Sequence, residues 1–268
     1  MHILFNQQII PQEKANIPID DRAFRYGDGL FETLRIIDQQ ALWWDEHIAR
    51  LETGMKILNL QGDLTDLKNH CLELIVKNNI SNGILRISLS RGSGGRGYLP
   101  LHTTPLLIAE TLPFPPALPE KIILSLSKWR SIPPASLPNQ AKLSQGLNHI
   151  LAAQEASPQF AALQLSIDEK IACTSSHNIF WLKDNILYTP SLETGCLAGI
   201  ARAKIIQNSP WEVQVGLFDL AELLSAEGVI ITNSLHLSIG VDGLENHQVD
   251  WRKSNELADR IKLALKHN

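Results

Sequence analysis

The apolar positions of this chain change period several times. Residues 84–90, ILRISLS, alternate strictly, with Leu85, Ile87 and Leu89 on one side and Arg86, Ser88 and Ser90 on the other. A period of two over that length predicts a half-buried strand. Apolar runs at 2–5 and 8–10 predict two short strands around Asn6-Gln7, and 30–37 with 41–44 predict a hairpin turning at Asp38-Gln39. Helical spacing takes over at Ile48, Leu51, Met55 and Leu58, with Asp45 placed to cap that helix. Leu64, Leu67, Cys71, Leu74 and Ile75 mark a second helix over 64–78. A further strand is expected near 105–111.

Residues 112–121, LPFPPALPEK, carry four prolines in ten positions. Proline fixes φ and removes a donor, so this stretch reads as a stiff connector. The expected division is residues 1–113, a connector over 114–121, and a second domain over 122–268. The second half opens on the strand IILSLS at 122–127. Leu147, Ile150, Leu151 and Ala152 then recur at helical spacing, which places Lys142 at the mouth of a helix with a buried face. Leu163, Leu165 and Ile167 alternate into a turn at 168–170, and NIFWLK and ILYTP form a hairpin around Asp184-Asn185. Helices are expected over 200–208 and 219–226, strands near 212–216 and 229–232, and a last helix through Leu257, Ile261 and Leu265. Hairpins mixed with helices indicate the α+β class.

Composition narrows the function classes. A net charge of −4 leaves no basic footprint for nucleic acid, and no apolar run reaches the length that spans a bilayer. Any anionic ligand must be met by local groups. Cys71, Cys173 and Cys196 are odd in number and lack metal-ligand spacing, which suggests reduced thiols. The first residues show no basic stretch before a long apolar run, so no secretory leader is expected, and the default location is cytoplasmic.

Four local sequences could carry chemistry. RGSGGRGY, residues 91–98, combines four glycines with Arg91 and Arg96, two planar forks suited to carboxylates. Gly199-Ile200-Ala201 heads a helix, where free amides favour an anion. Thr232-Asn233-Ser234 closes a strand with hydroxyl and amide groups. Lys142 is a lysine at the edge of a buried face. His47 and His149 are the histidines best placed for acid–base work, without an evident partner.

These pieces occur in an order that resembles the fold-type IV pyridoxal-phosphate enzymes, the class IV aminotransferase group. The resemblance rests on DRAFRYGDGLFETLRI (21–36), HIARL (47–51), RISLSRGSGGRGY (86–98), AKLSQGLNHILAAQEA (141–156), NIFW (178–181), LAGIAR (197–202) and ITNSL (231–235). It implies a D-amino-acid-aminotransferase-like fold, with an N-terminal α/β sandwich and a C-terminal mixed, barrel-like β domain with helices. It also implies a homodimer with pyridoxal 5′-phosphate as cofactor. Matched position by position, Lys142 is the lysine that carries the cofactor, and Arg50, Gly199, Ile200, Ala201 and Ser234 contact its phosphate. Tyr26 and Phe31 line the pocket, Arg91 holds a substrate carboxylate, and Arg96 and Tyr98 belong to the same loop.

The glycine-arginine loop is most similar to the 4-amino-4-deoxychorismate lyase branch, which forms 4-aminobenzoate and pyruvate for folate synthesis. The alternatives are an aminotransferase for D-alanine or branched-chain amino acids, or a cofactor-binding homologue with little turnover. The chain departs from the pattern at Cys173, where the family carries a glutamate paired with the pyridine nitrogen. It departs again at Gln145-Gly146, where lyases usually show Asn-Arg, and at Gly240, where proline is usual.

Overall fold

A computed structural model describes residues 1–156 and 160–266, which separate into two compact units. The first comprises Met1–Pro116 together with Gln140–Gly146. It is built on a six-stranded antiparallel sheet of β1 (His2–Phe5), β2 (Gln8–Pro11), β3 (Gly29–Ile37), β4 (Gln40–Ala41), β5 (Gly83–Ser93) and β6 (Thr104–Pro113), in the order β2-β1-β6-β5-β3-β4. Helices α1 (Arg22–Tyr26), α2 (Trp44–Leu58) and α3 (Leu67–Lys77) accompany it. Leu30, Leu34 and Ile36 of β3 and Leu85, Ile87 and Leu89 of β5 point to one face. There they pack with Leu51 of α2 and Leu74 and Ile75 of α3. Their period of two leaves Phe31, Arg86 and Ser88 on the opposite face.

The β3–β4 hairpin turns at Asp38 and Gln39, both left-handed with φ of 48° and 63°, as a type I′ turn requires. Its second strand is shorter than expected, because Trp43 adopts φ 54° and starts the helix at Trp44. Asp45 is therefore not the cap. It lies in the first turn with Glu46, where a carboxylate still favours the positive end of the helix. Strand β5 runs on to Ser93, so Arg91 and Gly92 are strand residues and the loop proper begins after them.

The second unit comprises Ala117–Asn139 and the chain from Leu147 onward. Its strands are β7 (Ile123–Leu126), β8 (Phe160–Leu165), β9 (Ile171–Thr174), β10 (Asn178–Lys183), β11 (Ile186–Pro190), β12 (Glu212–Gly216), β13 (Gly228–Thr232), β14 (Ile239–Val241) and β15 (Gly243–Leu244). They form a five-stranded mixed sheet, β12-β11-β10-β13-β14, and a four-stranded one, β15-β7-β8-β9. Both orders are open, so the barrel-like expectation becomes two sheets within the expected α+β class. Helices α4 (Leu147–Glu155), α5 (Ile200–Asn208), α6 (Leu220–Leu224) and α7 (Ser254–Lys266) complete the unit. Ile179, Trp181, Val229, Ile231 and Val241 form the centre of its core.

The units differ from the contiguous domains expected. The change falls after Pro116, inside the proline-rich stretch, but Gln140–Gly146 returns to the first unit. Backbone pairing explains the return. Phe31 N donates to Lys142 O at 3.0 Å, Ser144 N donates to Gly29 O at 2.9 Å, and Leu143 bridges Leu30. Lys142 thus sits on an extended segment along the edge of β3, and the helix starts only at Leu147. Leu147 and Ile150 of that helix are exposed while Ala152 is buried, so its apolar face is narrower than the spacing suggested.

Candidate active site

Strand β3 and the segment beside it place Lys142 and Phe31 together. The Lys142 ammonium lies 4.6 Å from the Phe31 ring centroid, and the Arg86 guanidinium lies 4.3 Å from the same ring. Both contacts are within cation–π range. Among the described residues neither Lys142 Nζ nor Arg86 makes a hydrogen bond or ion pair, although Glu110 stands across from Arg86 on β6. Two cations therefore share one aromatic ring with neither of them ion-paired. Lys142 is half-buried by surface area, yet desolvation pulls its amine from 10.5 down to about 8, with Arg50 and Arg86 adding to the effect and Glu32 opposing it. An amine so displaced is free to act as nucleophile or base near neutral pH far more often than an ordinary lysine.

Behind this pair lies a buried ion network that the sequence reading did not assemble. Glu32 occupies an inward position in the run Leu30, Glu32, Leu34, Ile36, and it is 1% exposed. Helix α2 presents His47 and Arg50 on one face, three residues apart. His47 Nδ1 meets Glu32 Oε2 at 2.6 Å. Arg50 donates from Nε to Oε1 at 2.8 Å and from Nη2 to Oε2 at 2.7 Å. Burial raises the Glu32 carboxyl, but the hydrogen bonds from Arg50 and His47 outweigh it and hold the group below its usual range. Burial keeps His47 neutral, so Nδ1 carries the proton that Glu32 accepts. His47 thus has the partner its sequence context left open. The signal for Glu32 was available: a carboxylate in the core register of a strand requires a partner. Arg86 could have been recognised only from its neighbours in space.

The glycine-rich segment is organised differently from the expectation. Three of the five N–H groups of Arg91 are bonded within the protein. Its Nε donates to Asp28 at 2.8 Å, and Nη1 and Nη2 donate to the carbonyls of Asn59 and Leu58 at 3.0 and 2.8 Å. It is 7% exposed and closes the C-terminal end of α2, where a cation and a donor are both favourable. Arg22, also buried, donates to Asp28 and to the carbonyls of Gly97 and Tyr98, so it anchors the loop. Burial raises the Asp28 carboxyl, yet the two arginines bring it below its normal value. Tyr26 joins this group. Its hydroxyl accepts from Gly97 N at 3.2 Å and its ring lies 5.7 Å from that of Tyr98. Arg96 and Tyr98 are exposed on the loop, and Arg96 makes no ion pair among the described residues. The structure thus brings Phe31 to Lys142, and Tyr26 to Tyr98.

In the second unit, Gly199 is the N-cap of α5, and a Cβ there would lie 2.0 Å from Asn178 Oδ1. Only glycine permits this approach, which the Asn178 side chain fixes by donating to Leu197 O at 2.9 Å. The amides of Ile200 and Ala201 fall in the first turn, where helical amides have no partner within the helix and an anion is favoured. Ser234 is half-buried in a turn closed by Asn233, whose Oδ1 accepts from the amides of Leu235 and His236 at 3.0 and 2.9 Å. Cys173 lies on β9 opposite Gln164 and is 4% exposed. Burial, with Cys196 beside it, pushes its thiol well above the ordinary value, so the group is neutral. His149 contacts Gln164 at 3.0 Å. No cluster of metal-ligating side chains occurs among the described residues, and no helix among them is long and apolar enough to cross a membrane.

Comparison with known proteins gives the family and the fold. A family model described as amino-transferase class IV matches residues 29–243. The chain is 32% identical to the aminodeoxychorismate lyase of Vibrio harveyi over 238 residues, covering 84% of this chain and 86% of that protein. It is 31% identical to the aminodeoxychorismate lyase of Bacillus subtilis, covering 98% and 93%. Among solved structures, the branched-chain amino acid aminotransferase of Escherichia coli superposes with a TM-score of 0.91 at 24% identity, covering 99% of this chain and 93% of that one. That likeness speaks to the fold. With a matched region that spans most of the chain and two relatives above 30% identity, the protein belongs to the amino-transferase class IV family.

Proposed function

We propose that this protein is a pyridoxal-phosphate-dependent 4-amino-4-deoxychorismate lyase, which releases pyruvate and leaves 4-aminobenzoate. The observation that carries the reading is Lys142, an amine drawn down to about 8 beside Phe31 and Arg86 and outside any ion pair. An aldehyde cofactor fits such an amine, and the family resemblance assigns its phosphate to Arg50 in the first unit and to Ile200, Ala201 and Ser234 in the second. When bound, pyridoxal phosphate supplies a ring that accepts electron density from the substrate.

Lys142, on this reading, holds the cofactor at rest. Its freed amine then takes the proton from the substrate ring carbon that bears the nitrogen. Loss of that proton and departure of enolpyruvate leave an aromatic ring, and Lys142 returns the proton to the enolpyruvate carbon. Arg86 takes the carboxylate role expected of Arg91, whose donors are committed to Asp28 and α2. Arg96 serves the second carboxylate, with Tyr26, Phe31 and Tyr98 lining the substrate side. Cys173, a neutral thiol, supplies no negative charge to a pyridine nitrogen. Aromatisation drives the elimination, so a weaker electron sink costs a lyase less than a transaminase. The proposal includes a folate-pathway role, a cytoplasmic location and a homodimeric state.

The test is formation of 4-aminobenzoate from aminodeoxychorismate by the cofactor-loaded protein, with Lys142→Ala alongside. Product from the wild type alone supports the reading. No product, with 2-oxoglutarate-dependent transfer from D-alanine or branched-chain amino acids, moves the protein to the aminotransferase branch whose fold it shares. Cofactor bound without turnover of either kind moves it to a binding homologue.

A further inference from the structure

We infer that Arg202 strengthens phosphate binding at the head of α5 through its buried charge, while its guanidinium stays tied to the end of β11. This rests on the assignment of the cofactor phosphate to Ile200, Ala201 and Ser234. Arg202 is the third residue of α5, after the N-cap Gly199. Helical side chains lean towards the N-terminus of their helix. The contact agrees: a Cβ on Gly199 would meet Arg202 Cβ at 3.5 Å. The stem of Arg202 therefore starts back past the turn that carries the amides of Ile200 and Ala201.

For the protein without an anion this is a costly place for a cation. Arg202 is 7% exposed. A positive side chain in the first turn also faces the positive end of its own helix. Among the described residues it makes one hydrogen bond, from Nη2 to Pro190 O at 2.8 Å, and no ion pair, and its Nε is buried without a partner. The thiol of Cys196 lies nearby, but burial pushes it above its ordinary value, so it is neutral and gives no counter-charge. Burial disfavours the guanidinium charge as well, yet an arginine keeps its proton at any working pH. Buried charges are ordinarily paired. An anion at the amides of Ile200 and Ala201 supplies that pairing, since those amides favour the same sign of ligand. Reaching Pro190 O alone requires only a neutral N–H, which a glutamine provides without burying a charge.

Cofactor-free protein is titrated with pyridoxal 5′-phosphate and, separately, with pyridoxal, following the absorbance of the lysine-bound chromophore. Arg202→Gln keeps an N–H donor and drops the charge. Its affinity for pyridoxal phosphate falls about tenfold, while its affinity for pyridoxal changes by less than about twofold. Arg202→Lys keeps the charge and stays within about threefold of the wild type for both ligands. An unchanged preference for the phosphate ester in Arg202→Gln overturns the inference. So does a loss in Arg202→Lys as large as in Arg202→Gln, an equal loss for both ligands, or failure of both variants to fold. Each of these makes Arg202 a staple between α5 and β11. A wild type that binds the two ligands equally, or neither, overturns the cofactor reading beneath it.

Discussion

Lys142→Met stabilises the cofactor-free protein near neutral pH, because the native lysine is charged where charge is disfavoured. Its amine titrates at about 8 against an ordinary 10.5, first through desolvation and then through Arg50 and Arg86. At about 1.4 kcal/mol per pH unit, that displacement amounts to up to about 3 kcal/mol against the folded state. The sign follows from proton binding. Between about 8 and 10.5 the unfolded chain holds the proton and the folded chain has released it, so wild-type stability rises with pH across that window. Below about 8 the full penalty is present. Methionine is similar in length and carries no proton, so its advantage is largest at pH 7 and declines steadily towards pH 10.5. The assay is guanidinium unfolding of both proteins, freed of cofactor, at a series of pH values. A difference that does not vary with pH, or one that grows as pH rises, refutes the reasoning, since neither can arise from a depressed lysine.

Arg91→Ala is expected to act on stability. It leaves Asp28 with one arginine and two carbonyls of α2 without their donors, at a cost of about 2–3 kcal/mol in the unfolding transition. An unchanged transition with a raised KM would return Arg91 to the substrate. Cys173, neutral and buried, is expected to resist iodoacetamide in the folded protein at pH 8 and to react once the chain is denatured. Mass spectrometry of the alkylated peptide reads this directly, and rapid native labelling would show the thiol to be accessible.

Much of the element order was legible along the chain. The alternation at 84–90, the turn at Asp38-Gln39 and the helix over 200–208 all follow from local pattern, and the structure places them within a few residues. The resemblance also singled out Lys142 and Arg50 as candidates, because motifs in a fixed order survive without knowledge of distance. Local pattern was less able to say what a side chain spends its donors on. Arg86 and Arg91 lie five residues apart on one strand, and nothing nearby in sequence distinguishes them. Arg91 is consumed by Asp28 and by the end of α2, whereas Arg86 is left on the Phe31 ring.

By itself the sequence determined the class of fold and the family. Those depend on period and order, which a one-dimensional string preserves. Only the tertiary structure decided that Lys142 lies on a strand edge several residues before its helix, that Glu32 gathers His47 and Arg50, and that Arg91 bonds to Asp28 and the end of α2 while Arg86 rests on the Phe31 ring. Each of these is set by pairing between segments distant in the chain, and a hydrogen bond or desolvated charge exists only once both partners have been brought together.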